Sequence, residues 1–215
     1  MADRWATFDC YGTLIDWNGG LHRELARLWG EERADGLLAR YHELERQVQA
    51  ADQALPYRDV MARVLVQLGH VPAGEEDALA RSLPDWEPFP EVPAALEEVR
   101  RRGWRLAILS NTDRDFIEAS KRRLGVTFDE TIVASEIGSY KPAPRHWEAF
   151  FERTHASRDA HVHVAASLFH DIAPARELGL RCIWINRLRE RADPVPDSEL
   201  PDLRALADTL DELVR

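Results

Sequence analysis

Short apolar runs rich in β-branched and aromatic residues alternate with helix-like stretches along most of this chain, and no other feature restricts its fold as much. The runs fall at residues 5–8, 105–109, 131–134, 161–165 and 182–185, each of strand length. Between the later ones, residues 92–102, 114–124, 145–155 and 172–178 carry helical spacing. Gly103, Gly125 and Gly179 stand just past three of those ends, where a left-handed residue closes a helix. Neighbouring strands that run parallel need a crossover between them, and a helix supplies it. The alternation therefore predicts an α/β fold, a doubly wound parallel sheet with a Rossmann-like core.

The pattern breaks once, between the first run and the second. There Leu21, Leu25 and Leu28, then Leu37, Leu38, Tyr41 and Leu44, then Val60, Met61, Val64, Leu65 and Leu68 recur at helical steps. These stripes read as the inner faces of a small helical bundle. Residues 84–90 hold too many prolines for a helix and read as the link back to the sheet. The expected division is a catalytic core of residues 1–14 and 89–215, with a helical cap of residues 15–88 inserted over the end of the first strand.

A formal net charge of -10 disfavours nucleic acid or an anionic membrane surface as partner, since both demand clustered cations. No apolar run approaches the ~18 residues of a membrane span. Asp3 and Arg4 lead straight into a strand rather than a signal-peptide core, so a cytoplasmic enzyme is the expectation. Cys10 and Cys182 have no CxxC spacing or neighbouring His, and neither a disulfide framework nor a zinc site is expected. A homodimer is compatible with the sequence.

In a doubly wound sheet the ligand lies beyond the carboxyl ends of the strands, so the loops after the runs belong together. The first holds Asp9, Cys10, Tyr11, Gly12 and Thr13, an acid placed where an apolar strand ends. The second holds Ser110, Asn111, Thr112 and Asp113 at a helix start, where free N–H groups suit an anion. The third holds Tyr140, Lys141 and Pro142. Of 28 basic residues only Lys121 and Lys141 are lysines, and a compact ammonium fits against a single carboxylate where a guanidinium fork is too broad. The fourth holds Ala166, Ser167, Leu168, Phe169, His170 and Asp171. Taken singly, Asp171 reads as a helix cap and Lys141 as a solvated loop residue.

Together and in this order the four segments resemble the signature motifs of the haloacid dehalogenase superfamily over nearly the whole chain. The resemblance implies Asp9 as nucleophile, Lys141 as the essential lysine, Asp171 as the acid of the last motif, and Thr13 and Ser110 as groups that hold the acids of the site. Most of that superfamily are magnesium-dependent phosphatases, whose first motif reads D-x-D and whose last carries a metal-binding acid. Here Tyr11 stands at the first place and Ala166 at the second. Magnesium needs anionic oxygens in a demanding octahedron, so no metal and no cofactor are expected.

Both changes are similar to the metal-independent type II 2-haloacid dehalogenases, whose first motif looks like D-x-Y-G-T. The resemblance extends to residues 109–111, 140–142 and 182–187, and through residues 38–41 it implies Arg40 as the halide-binding arginine. It then implies an ester on Asp9, with Cys10 and Tyr11 in the loop that holds the substrate carboxylate. Ser110 assists there, Asn111 helps to hold the halide, and Asp171 activates the hydrolytic water. Two departures stand out. Ala166 and Leu168 replace Ser and Asn of that branch, and Trp147 replaces a tyrosine. The bulk of Leu168, Phe169 and Trp147 implies a tight pocket and a preference for haloacetates, fluoroacetate among them. The alternatives are a phosphatase-like hydrolase of the same superfamily and a catalytically silent binding protein on this fold.

Overall fold

The computed structural model describes residues 3–215. Six strands form one parallel sheet: β1 (Arg4–Phe8), β2 (Trp104–Ser110), β3 (Glu130–Val133), β4 (His161–Ala165), β5 (Arg181–Ile185) and β6 (Ser198–Leu200), in the order β3-β2-β1-β4-β5-β6. β1 thus lies between β2 and β4, where the winding of the sheet reverses, and such a point opens a crevice at the strands' carboxyl ends. Asp9 is the first residue beyond β1, tied there by its N–H to the Val164 carbonyl at 3.1 Å.

Alternate residues of the strands feed two separate cores. Ala6, Phe8, Leu106, Ile108, Val162 and Val164 face one side; Trp5, Ala107, Leu109, Ala165, Cys182 and Trp184 face the other. Burial on both sides explains why the strands read as nearly unbroken apolar runs. The exceptions are Thr7, His161 and His163, fully buried polar residues on the second face. The register sets Thr7 opposite His163 and Trp5 opposite His161.

Four helices, α1 (Trp17–Trp29), α2 (Glu31–Ala51), α3 (Tyr57–Leu68) and α4 (Ala78–Ser82), fill the first part of the interval between β1 and β2. Leu21 and Leu25, Tyr41 and Leu44, and Val60, Met61, Val64 and Leu65 are their buried inner faces. The chain leaves and re-enters the core side by side: the Asp16 N–H donates to Glu87 O at 2.9 Å and the Phe89 N–H to Leu14 O at 3.0 Å. Gly12 makes the exit turn at φ 91, a left-handed conformation open to glycine at little cost.

The remaining helices are α5 (Val92–Arg101), α6 (Arg114–Leu124), α7 (Ala134–Ile137), α8 (Arg145–Thr154), α9 (Ala173–Glu177) and α10 (Leu206–Leu213). Two elements depart in kind from expectation. The run expected at 131–134 stops at Val133, where Ala134 starts α7. The helix expected at 172–178 is a π-helical turn, Leu168–Ile172, followed by the short α9, with Pro174 in the first turn where its missing N–H costs nothing. β6 and α10 lie beyond the elements read from the sequence. Among the described residues no helix is long and apolar enough to cross a membrane.

Candidate active site

Three charged side chains meet beyond the ends of β1 and β4. The Lys141 ammonium donates to Asp9 Oδ1 at 2.9 Å, to Asp171 Oδ1 at 2.6 Å and to the Leu109 carbonyl at 2.8 Å. An ammonium has three donors, and all are used. Thr13 Oγ1 donates to the other Asp9 oxygen at 2.8 Å and accepts the Ala166 N–H at 2.9 Å, tying the first loop to the fourth. Lys141 and Asp171 are 1% exposed and Asp9 is 8% exposed. Burying charges in this way is tolerable because each has an opposite partner and hydrogen bonds.

Burial raises the pKa of Asp9 against the pull of Lys141. Burial acts on Asp171 in the same direction, but the Lys141 ammonium and His163 outweigh it and hold that carboxyl below the usual carboxylate range. For Lys141 burial works against the charge, and the two carboxylates more than offset it. The two carboxyls are thus pushed in opposite directions, Asp9 up and Asp171 down. Asp171 is a settled anion whose Oδ2 is buried without a partner.

A chain of buried polar groups supports Asp171 from the far side of the sheet. His163 Nε2 lies 3.0 Å from Asp171 Oδ1, Thr7 Oγ1 lies 2.8 Å from His163 Nδ1, and His161 Nε2 lies 2.9 Å from the same hydroxyl. With His163 Nε2–H donating to the carboxylate, Nδ1 accepts from Thr7, which accepts from His161 in turn. Burial pushes His161 well below the ordinary histidine range, consistent with a neutral ring. None of these three was singled out from sequence, yet two histidines and a threonine within otherwise apolar strands are a readable signal.

The other residues expected at the site divide sharply. Ser110 is buried with its hydroxyl unpartnered, and its carbonyl oxygen accepts from His146 Nε2 at 3.1 Å. Asn111 borders the cavity, but its amide is committed to the Lys141 backbone: Oδ1 accepts from N at 2.7 Å and Nδ2 donates to O at 3.0 Å. It positions the lysine, and only one amide hydrogen is left to offer a ligand. Tyr11 lines the cavity with its hydroxyl 3.0 Å from Ser120 Oγ. The Cys10 side chain is fully buried in the core, while its carbonyl accepts from the N–H groups of Leu14 and Ile15. His170 borders the cavity with its pKa lowered to about 4 by burial, and Ser167 Oγ accepts its N–H at 3.0 Å.

Two expectations are corrected. Arg40 lies on the solvent face of α2, 55% exposed at its side chain and paired with Glu43 at 2.7 Å. At about 100° per residue it sits opposite the side of α2 that carries His42, Glu45, Arg46 and Gln49 into the cavity. The guanidinium that α2 turns to the cavity is that of Arg46. Trp147 is 1% exposed within the second core, its ring 5.2 Å from that of His163. It packs beneath the sheet and does not narrow the cavity, and Phe169, at 53% exposure, stands at the rim. The cavity holds about 690 Å³, which falls in the ~300–1,000 Å³ range of small-molecule sites. Steric tightness therefore does not single out haloacetates.

The donor set does not suit a divalent cation. Ala166 presents a methyl group where a metal-binding acid would stand, and Lys141 places its ammonium between the carboxylates. Among the described residues no group of three or more His, Cys, Asp and Glu side chains could hold a metal ion.

A family model for haloacid dehalogenase-like hydrolases matches residues 4–179. The (S)-2-haloacid dehalogenase of Pseudomonas sp. (strain YL) is 30% identical over 94% of this chain and 91% of its own length. Haloacetate dehalogenase H-2 of Moraxella sp. (strain B) is 29% identical over 93% of this chain and 94% of its own. The solved L-2-haloacid dehalogenase RSc1362 shares the fold with a TM-score of 0.88 at 21% identity, covering 98% of this chain and 100% of that one.

Proposed function

The chain belongs to the haloacid dehalogenase-like hydrolases, among their 2-haloacid dehalogenases, and on that premise we propose that it converts 2-haloacids to 2-hydroxy acids through an ester formed on Asp9. The supporting observation is the Lys141 ammonium bonded at once to Asp9 and Asp171, with Tyr11 and Ala166 where a phosphatase needs its acids. Asp9 attacks the carbon that bears the halogen, a C–O bond forms, and the halide leaves with the bonding electrons. Halide needs no proton, so the lack of an acid at position 11 is no obstacle.

Lys141 fixes one Asp9 oxygen and Thr13 the other, which orients the nucleophile before substrate arrives. The unpartnered Ser110 hydroxyl and the N–H groups of the first loop receive the substrate carboxylate. Arg46 takes the part expected of Arg40 and stabilises the departing halide. Water then attacks the ester carbonyl, the acyl C–O bond breaks, and Asp9 is regenerated. Asp171 Oδ2, buried and without a donor, is the acceptor that aligns this water. With its low pKa, Asp171 orients the water more than it deprotonates it.

A single turnover of chloroacetate or 2-chloropropionate in heavy-oxygen water tests the ester. Label is expected in the enzyme carboxylate, at Asp9, with chloride released in the presence of EDTA. Label found chiefly in the hydroxy acid means direct attack by water and removes Asp9 as nucleophile.

A further inference from the structure

The wall of the cavity contributed by α1, α2 and α3 carries polar groups that displacement of halide does not use. Glu45 is 5% exposed and borders the cavity. Its one hydrogen bond among the described residues is from the Tyr57 hydroxyl to Oε1, at 2.8 Å. Close by, Trp17 Nε1 and Asn18 Oδ1 are buried with no hydrogen-bond partner among the described residues. Trp17, Asn18 and Tyr57 line the same cavity. A buried polar atom left unpaired costs about 1–3 kcal/mol, and native proteins keep few of them. Two of them beside the Glu45 carboxyl mark a surface that a ligand completes. The cavity of about 690 Å³ also leaves space between Asp9 and this wall that a haloacetate, with a handful of heavy atoms, does not fill.

We propose that this wall is a recognition subsite for a hydrogen-bond donor, a hydroxyl or ammonium group carried by the substrate beyond its reacting carbon, with Glu45 as the acceptor. The inference rests on the 2-haloacid reading above. It places the substrate carboxylate at Ser110 and the first loop, and the donor-bearing end at Glu45 Oε2 and Asn18 Oδ1. A hydroxyl there also receives the Trp17 indole N–H. A second carboxylate at that end meets Glu45 and is repelled. An alkyl end leaves the wall desolvated and unpaired, the arrangement by which sites reject analogues lacking a polar group most strongly. Burial also pushes the Glu45 carboxyl up to about 7, and an ammonium beside it would hold it as the carboxylate.

Calorimetry with unreactive acids reads the subsite without the chemistry: 4-aminobutanoate, 4-hydroxybutanoate and pentanoate, on wild type, Glu45→Gln and Glu45→Leu. The two donor-bearing acids are expected to bind at least tenfold tighter than pentanoate. In Glu45→Gln, which retains an acceptor oxygen but no charge, the ammonium preference should fall about tenfold while the hydroxyl preference persists. In Glu45→Leu both should vanish. Pentanoate binding as tightly as the others, or an ammonium preference unchanged in the near-isosteric Glu45→Gln, overturns the proposal even where Glu45→Leu fails to fold. Rates of chloride release from 2-chloro-4-hydroxybutanoate and 2-chloropentanoate complete the experiment. Discrimination in binding with no release from either would retain the subsite and remove the dehalogenase reading.

Discussion

The floor of the cavity and the wall above it are built from similar groups, but they differ in how many of their hydrogen bonds are closed. On the floor Lys141 spends every donor, Thr13 bridges two loops, and Asp171 is held from two sides at Oδ1, although its Oδ2 and the Ser110 hydroxyl stay open among the described residues. On the wall Trp17 and Asn18 have polar atoms with no partner among the described residues and Glu45 has a single donor. A floor of this kind keeps charges oriented before any ligand enters, as stabilisation of a charged transition state requires. The wall carries Arg46, which on the proposed reading meets the halide, and otherwise leaves its bonds for a ligand to complete. On the proposed reading the nucleophile and the groups that select the substrate sit on different elements, the one at a strand end and the others on helices between β1 and β2.

Removing the ammonium is the most severe way to break this contrast. Lys141→Met leaves Asp9 and Asp171 buried without their cation. Activity should fall by more than a thousandfold, roughly 4 kcal/mol of barrier, and stability by about 3–5 kcal/mol. Halide release and urea titration measure the two. A variant that still turns over at a tenth of the normal rate would show that the floor does not depend on its saturated lysine. The next effect separates the two arginines of α2. Arg46→Ala should lower kcat/KM about a hundredfold, the loss of a charge contact of ~3 kcal/mol, and Arg40→Ala should stay within about twofold because that side chain is a solvent-exposed pair with Glu43. The reverse ranking in steady-state kinetics would place Arg40 at the halide in the working enzyme.

The smallest effect concerns stability against pH. Glu45 rises from 4.5 to about 7 on folding because burial disfavours its charge. The native protein therefore retains a proton that the unfolded chain releases. The penalty is absent below about pH 4.5, grows as pH rises towards 7 and is complete above it. At about 1.4 kcal/mol per unit it amounts to roughly 3 kcal/mol. Glu45→Gln cannot ionise, so its stability should decline less between pH 5 and pH 8 in paired urea titrations. Parallel curves for variant and wild type would mean that Glu45 ionises freely on the wall.

The floor was legible in sequence for a geometric reason. A strand ends at a definite place, and an acid or lysine just beyond it can only face the crevice. Asp9 stands directly beyond β1 and Ser110 closes β2, while Lys141 and Asp171 lie in the segments that follow β3 and β4. The wall was not legible, because a helix places its residues by phase. Arg40 and Arg46 lie on one polar helix, and only the packing of Tyr41, Leu44 and Val48 inward decides which of them faces the cavity. Trp147 misled for a similar reason, since α8 covers the face of the sheet opposite the insert and carries its indole into the second core. β6 is three residues long, too short for a period of two to show.

The chain from His161 through Thr7 and His163 to Asp171 has a consequence for how this protein can change. In the type II dehalogenases whose motifs this chain resembles, Ser and Asn stand at the positions of Ala166 and Leu168. With Asp171 held by His163 from below the sheet, those two side chains make no hydrogen bond to it, and both border the cavity. They are free to drift. Random libraries at residues 166 and 168 should yield a larger share of active, reshaped variants than libraries at 7 or 163, which makes the evolvable surface of the pocket and its chemically committed part separable by a few ångströms of sheet.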